Sequence, residues 1–267
     1  MYGNGNLIQV LGACAKNSFI TRLTVIPPLY WAIQILFTSF FSMFFFVLLA
    51  DFIGNPEVTV AFVVIGNAVQ SVAATTLYSV AEIPGVEKHV GTIGTLTNTP
   101  SSLFTVFFGM SAFSIFMGMI SMLVSLGYAA FIFDVSFANC NFLSIGIIMI
   151  ITCLSLTGLG MLIGGVGIHL RTSSIIANVV AYLGLLISGV NFPISYLPEW
   201  VQTFSHLMPL TYAVEATRSA MDGASLTEIL PSLGYMVLLG TVFIIVAWYA
   251  FRFFERRSRI SGTMDSF

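Results

Sequence analysis

Charge is what this sequence has least of. Only 7% of its residues are Asp, Glu, Lys or Arg, against 57% hydrophobic. A soluble domain carries about 25% charge, so this chain has too little polar surface to cover itself in water. It reads as an integral membrane protein. Cysteine is scarce too. Cys14, Cys140 and Cys153 have neither metal-ligand spacing nor the makings of a disulfide framework, and Cys153, inside an apolar run, reads as a packing residue. His89 and His169 stand too far from other ligand types to suggest a metal site. There are no paired carboxylates, no zinc-protease motif, no nucleophile elbow and no Gly-x4-Gly-Lys-Ser/Thr phosphate loop. An enzyme site in this chain is therefore not expected. No internal repeat is evident, which counts against a carrier built from paired halves. The N-terminal segment lacks an apolar core followed by a small-residue cleavage site, so the first span itself is expected to direct insertion.

What the chain does have is long apolar runs. Residues 1–28 carry apolar positions at roughly helical spacing between Gln9, Lys16, Asn17 and Arg22. An amphipathic helix on the membrane surface and a plain polar lead-in are both open there. Residues 29–267 form the transmembrane domain, with predicted spans at Leu29–Ile53, Val58–Ile83, Leu103–Phe133, Phe142–Ile168, Ser174–Phe192 and Leu233–Phe254. A polar loop fills residues 84–101, and His169 to Thr172 is a tight turn. Six spans put both termini on one side. Lys16, Arg22, Lys88, Arg171, Arg252, Arg256, Arg257 and Arg259 all fall on that side and Arg218 alone falls opposite, so the termini are expected in the cytoplasm of a cell with this protein in its inner or cytoplasmic membrane.

Two polar stripes interrupt the spans. Asn67, Ser71, Thr75, Tyr78 and Glu82 lie three or four residues apart on one face of the second, with Ser79 adjacent, and Ser174, Asn178, Tyr182 and Ser188 or Gly189 repeat the pattern in the fifth. Such faces line either a substrate pathway or an interhelical contact, where each hydrogen bond contributes about 0.6 kcal/mol. Asn and Tyr in both stripes favour the pathway. Gly160 and Gly164 form a small-x3-small pair suited to close helix packing.

The stretch from Asn191 to Gly223 is too broken by proline to span and too apolar for an ordinary loop. Pro193, Pro198 and Pro209 interrupt it, and two short helices are predicted, Pro198–Leu207 and Thr211–Met221. Such a pair could dip into a bilayer and return. Glu215 and Arg218, three apart, are positioned to form an ion pair that braces an outer gate.

The order Phe192-Pro193, Leu197-Pro198-Glu199-Trp200, His206, Pro209-Leu210-Thr211-Tyr212, Glu215, Arg218 and Gly223 resembles the end of type-2 ABC transporter permeases, the membrane subunits of ATP-driven exporters. The loop resembles the same family. Glu87-Lys88, Gly91-Thr92, Leu96 and Thr99-Pro100 match its coupling helix, with His89 inside the motif and Gly94 where the family carries a glutamate. The resemblance implies an all-α integral membrane fold with six transmembrane helices, an N-terminal amphipathic interface helix and a re-entrant helix pair between the fifth and sixth spans. It implies two separate ATPase subunits that bind ATP and Mg, while this chain binds no cofactor and no nucleic acid. It implies a second permease copy in a homo- or heterodimer, an outer gate around Pro193, Pro198, Trp200, Pro209, Glu215 and Arg218, and a drug, peptide or lipid-like cargo. An ATP-independent channel or ion-coupled carrier and a membrane scaffold are the alternatives.

Overall fold

The computed structural model describes residues 7–97, 99, 101–170 and 173–261. Within them the chain is helical. Helix α1 is Leu7–Val25 and α2 is Pro28–Ile53. Pro28 starts α2 at the one helical position where a missing N–H costs nothing, and Gly54 ends it. Helix α3 runs through Val60–Val90. The Thr59 hydroxyl caps it by accepting from the Phe62 N–H at 3.2 Å. Helix α4 is Ile93–Thr97, α5 is Leu103–Phe131 with a break at Ser111, and α6 is Phe142–Leu170. Helix α7 is Ser173–Ile187, and a single 3-10 turn, Ile194–Tyr196, leads to α8, Glu199–Ser205. Helices α9, Pro209–Met221, and α10, Leu226–Ser261, complete the chain.

The protein is thus all-α and multi-pass. Among the described residues five helices are long and apolar enough to cross a membrane: α2, α3, α5, α6 and α10. The predicted fifth span, Ser174–Phe192, is represented by the 15 residues of α7, a length of about 22 Å against a hydrocarbon core of about 30 Å. The helix stops early because Gly189 takes a left-handed φ of +72° and the backbone unwinds before Pro193.

A second boundary also moves. The loop predicted from Pro84 begins seven residues later, because α3 continues through Pro84 to Val90. Proline costs the helix one hydrogen bond, and here the ring is buried against α6, where a Cβ on Gly164 would lie 3.2 Å from its Cγ. Glu87, Lys88 and His89 therefore belong to the last turn of a spanning helix rather than to a loop. The turn predicted at His169–Thr172 also starts later, since α6 continues to Leu170; Arg171 and Thr172 lie outside the described residues. The last helix is longer at both ends than Leu233–Phe254.

Helix α3 is the axis of the bundle. Its ten residues Val63 to Val72 are all buried, whereas α2 leaves most of its phenylalanines exposed. Glycines set the closest approaches. A Cβ on Gly160 would sit 3.0 Å from the Leu77 carbonyl oxygen, and one on Gly158 would sit 2.7 Å from that of Gly240, so α6 lies backbone to backbone against α3 and α10, as small residues permit. Both ends of the chain meet the start of α5. The Ser18 hydroxyl of α1 donates to the Met110 carbonyl at 2.8 Å, and Glu255 of α10 accepts the Leu103 N–H at 2.5 Å.

Candidate functional site: a polar cleft and its clamp

Helix α3 presents its polar stripe to a cleft shared with α2 and α7. Asn67, Ser71, Thr75 and Tyr78 line it from α3, and Asn178 and Tyr182 line it from α7. The structure therefore brings six of the seven predicted pathway residues together. The seventh, Ser188, is buried at the end of α7, away from the cleft lining. The part between α2, α3 and α7 encloses about 670 Å³, within the range of sites that take drug-sized molecules.

The α2 wall supplies residues that the sequence analysis passed over: Gln34, Thr38 and Ser42. Their four-residue spacing was a legible signal, obscured by the eleven phenylalanines and leucines of α2. Gln70 of α3 lines the cleft as well, and donates to the Ala181 carbonyl at 3.3 Å. Five residues of α3, Ala73–Leu77, form a π turn at mid-cleft. Such turns insert one extra residue and occur often at functional sites. Here it sends Thr76 away from the cleft, to the Ser114 carbonyl of α5 at 3.3 Å.

Nearer the termini, beyond the residues that line the cleft, α3 carries Glu82, one helical turn from Tyr78. The Ser174 hydroxyl of α7 donates to Glu82 Oε1 at 2.7 Å, and the Tyr78 phenol interacts with Glu82, Asn178 and Ser174. Arg22 of α1 feels both Glu82 and Glu87. Burial pushes its guanidinium below the usual value, and the two carboxylates push it back up.

At the opposite end, Asn67 ties three elements together. Its amide donates to Asn191 Oδ1 at 2.7 Å and to the Val63 carbonyl at 2.9 Å, and its oxygen accepts from the Ser42 hydroxyl at 3.2 Å. Beside it lies Arg218. The expected ion pair with Glu215 does not form. Arg218 Nη1 donates to the Gly189 carbonyl at 2.9 Å, and Nη2 donates to those of Val190 and Phe62 at 2.9 and 3.0 Å. The guanidinium also stacks over the Phe62 ring, 3.4 Å from its centre. Glu215 faces outward and is exposed. The physical reason is the break after α7. Unwinding frees carbonyls that a buried guanidinium, with five donors in a fixed fork, satisfies better than one exposed carboxylate satisfies it. Gly66 makes the contact possible, since a Cβ there would lie 2.1 Å from the Val190 oxygen.

The other predicted gate residues fall in the segment that follows, at the starts of its short helices. Pro193 precedes the Ile194–Tyr196 turn, Pro198 precedes α8, and buried Pro209 opens α9. Trp200 is exposed. Tyr196 fastens the turn to the α2–α3 loop. Its hydroxyl donates to Glu57 at 2.5 Å and accepts from Asn55 at 3.1 Å. The Glu57 carboxylate holds that proton and raises the phenol above its ordinary range.

The predicted coupling residues form one compact turn at the end of α3. Gly91, at φ +79°, stops the helix, and its αL conformation is one that proline cannot adopt. The Thr92 hydroxyl bonds the Glu87 carboxylate and, at 3.0 Å, the Glu87 carbonyl. Leu96 lies in α4, and the Thr99 hydroxyl returns to its carbonyl at 2.6 Å. His89 is exposed. Pro100 lies outside the described residues.

Among the described residues no group of three or more His, Cys, Asp or Glu could hold a metal. The profile of the ABC-2 type transporter family matches residues 9–221, which takes in α1, the cleft, the clamp and the loop. The chain belongs to that family, and is a membrane permease subunit of an ABC-type transporter. Proteins of this family are non-catalytic transport subunits that work with an ATP-using ATPase subunit. No curated protein matches the chain.

Proposed function

We propose that this permease exports a hydrophobic or amphipathic substrate, drug, peptide or lipid-like, along the α3 cleft. Two copies of a separate ATPase, which bind the ATP and Mg, would drive it together with a second permease copy, identical or not. One observation carries the reading. The helix whose stripe lines the cleft ends in Glu87, Lys88 and His89 and passes at Gly91 into the turn that leads to α4, so a force on that turn acts on the cleft wall through one continuous helix. In this reading ATP binding moves the turn, with Gly91, Thr92, Leu96, Thr99 and Pro100 in its docking surface. The clamp at Arg218, with Pro193, Pro198, Trp200 and Pro209, forms the outer gate. The cleft is open between α2 and α7, where Phe37, Phe41 and Tyr182 are exposed, and a second copy would close it.

Six spans are part of this proposal. Five crossings would leave the termini on opposite sides, yet α1 and the end of α10 both touch the start of α5. That parity supports α7 with residues 188–192 as a sixth crossing, and α8 with α9 as a pair that re-enters from the outer face. Lys16, Arg22, Lys88, Arg252 and Arg256 near the terminus end, against Arg218 at the other, support cytoplasmic termini in the inner or cytoplasmic membrane. Helix α1, with Leu7, Ile8, Ile20 and Val25 exposed, suits the membrane surface. Purification of the full chain from its native membrane tests the partnership. An ABC ATPase should accompany the wild type in equal amount; a transport-competent preparation without one would instead support a channel or carrier.

A further inference from the structure

The cleft has two parts of different chemistry, and they share a wall. The inner part lies between α2, α3 and α5 and encloses about 110 Å³, room for several waters or for a small polar group in their place. The outer part, between α2, α3 and α7, is walled by Phe37, Phe41, Phe45, Tyr182 and Leu185. Thr38, Ser42, Gln70, Ala74 and Tyr78 line both, so one molecule can occupy the two at once. The residues lining either part carry no Asp, Glu, Lys or Arg, and Glu82 lies beyond both.

The inner part gathers neutral hydrogen-bonding groups that the fold itself does not use. Serine and threonine within a helix can bond back to the carbonyl four residues earlier. Thr152, Thr157, Thr217 and Thr241 do so, at 2.7–2.8 Å. Thr38, Ser39, Thr75 and Ser79 line the inner part and make no side-chain hydrogen bond among the described residues. Two buried atoms of the same wall are also without a partner, the donor Trp31 Nε1 and the acceptor Gln70 Oε1. Buried polar groups are ordinarily paired, and unpaired ones gathered around one cavity mark a place where a ligand supplies the bonds. Hydroxyls both donate and accept, so the group that satisfies this wall does both. An ionised group would meet no counter-charge in the lining, and unpaired charge is costly at membrane depth.

We infer that the cleft takes an uncharged amphiphile, its hydroxyl- or amide-bearing head in the inner part and its apolar body against the phenylalanines of the outer part. The inference rests on the pathway reading above and names the head group and its orientation within it.

Four probes test it. All carry a naphthyl ring on a short ether-linked chain, and they differ at the chain's end: a vicinal diol, a methyl group, a carboxylate or a trimethylammonium. Each is titrated by equilibrium dialysis against the full chain in lipid nanodiscs, with empty nanodiscs subtracted. The diol should bind at least about tenfold more tightly than each of the other three. Thr38→Val and Thr75→Val together keep the shape of the cavity and remove one hydroxyl from each of two walls. The pair should weaken diol binding about tenfold and leave the methyl-ended probe unchanged, which separates loss of hydrogen bonds from loss of fold. Thr38→Ser and Thr75→Ser together should bind the diol as the wild type does. Ala74→Trp, placed where the two parts meet, should remove diol binding. Absence of diol binding to the wild type, a methyl-ended or charged probe that binds as tightly as the diol, or unchanged diol affinity in the double valine variant would each overturn the inference. If Ala74→Trp blocks binding while the double valine variant does not alter it, the cleft stands as the pathway and the head-group assignment falls. If Ala74→Trp changes nothing, the pathway reading falls with it.

Discussion

Asn67 and Asn191 are 124 residues apart in sequence, and their side chains share a hydrogen bond of 2.7 Å. The bond joins the polar stripe of α3 to the unwound segment after α7, so the end of the cleft and the start of the gate are one structure. Asn67→Leu removes it along with the Ser42 contact, and leaves Asn191 without that donor. The expected loss of stability is about 1–3 kcal/mol, read as a lower unfolding temperature in detergent. Thr75→Leu, with no such bond to the gate, should leave the unfolding temperature within a degree or two while altering transport kinetics. Intact kinetics in both variants would make the stripe packing rather than pathway.

The Arg218 clamp gives a second test, which also separates it from an ion pair. Arg218→Met leaves the carbonyls of Phe62, Gly189 and Val190 without their donor, at about 1–3 kcal/mol for a buried group so abandoned. Arg218→Lys should recover little, because an ammonium cannot span the fork. Glu215→Gln should be neutral within about 0.5 kcal/mol. Thermal unfolding of the three variants distinguishes the cases. If Glu215→Gln destabilises as much as Arg218→Met, the clamp is wrongly assigned.

Gly66 offers a third. Its replacement by alanine would push a methyl into the Val190 oxygen, which must then move with the clamp. Destabilisation of about 1–3 kcal/mol is expected from overpacking, together with faster hydrogen exchange in residues 188–192. Exchange unchanged in that segment would show that the contact does not hold it.

The sequence made the large features legible because their signals are local. Apolar run length marked the long helices, proline spacing marked α8 and α9, and the three- and four-residue steps of Asn67, Ser71, Thr75 and Tyr78 marked the cleft face. What it hid was tertiary. Pro84 reads as a helix end, and only its burial against Gly164 shows why the helix continues. Glu215 and Arg218 look like a pair by spacing, because nothing local reveals that the chain unwinds at Gly189 and offers three carbonyls instead. Gln34, Thr38 and Ser42 were visible as a stripe but sat in a span dominated by phenylalanine, where periodicity carries little contrast. The shortness of α7 was not read, although Ser188, Gly189 and Asn191 already dilute the apolar run there.

Topology is tested by labelling. Asp222 lies exposed at the end of α9, on the side opposite the termini in the proposed arrangement. Asp222→Cys in a background lacking Cys14, Cys140 and Cys153 should react with a membrane-impermeant maleimide added to intact cells. Labelling from the cytoplasmic side alone would contradict six crossings.

The central claim, that the turn at the end of α3 couples an ATPase to the cleft, is tested most directly by substrate-stimulated ATP hydrolysis in the purified permease–ATPase complex in lipid. Gly91→Pro is the decisive variant, because proline cannot take the φ of +79° found there, while the spans and their packing faces are untouched. Charge reversal at Glu87 and Lys88 is its companion, expected to have a smaller effect, since Gly94 stands where a family glutamate would add a contact. The account predicts that the Gly91→Pro complex still assembles but loses most of its stimulation and its transport. Full stimulation and transport in both variants would contradict it.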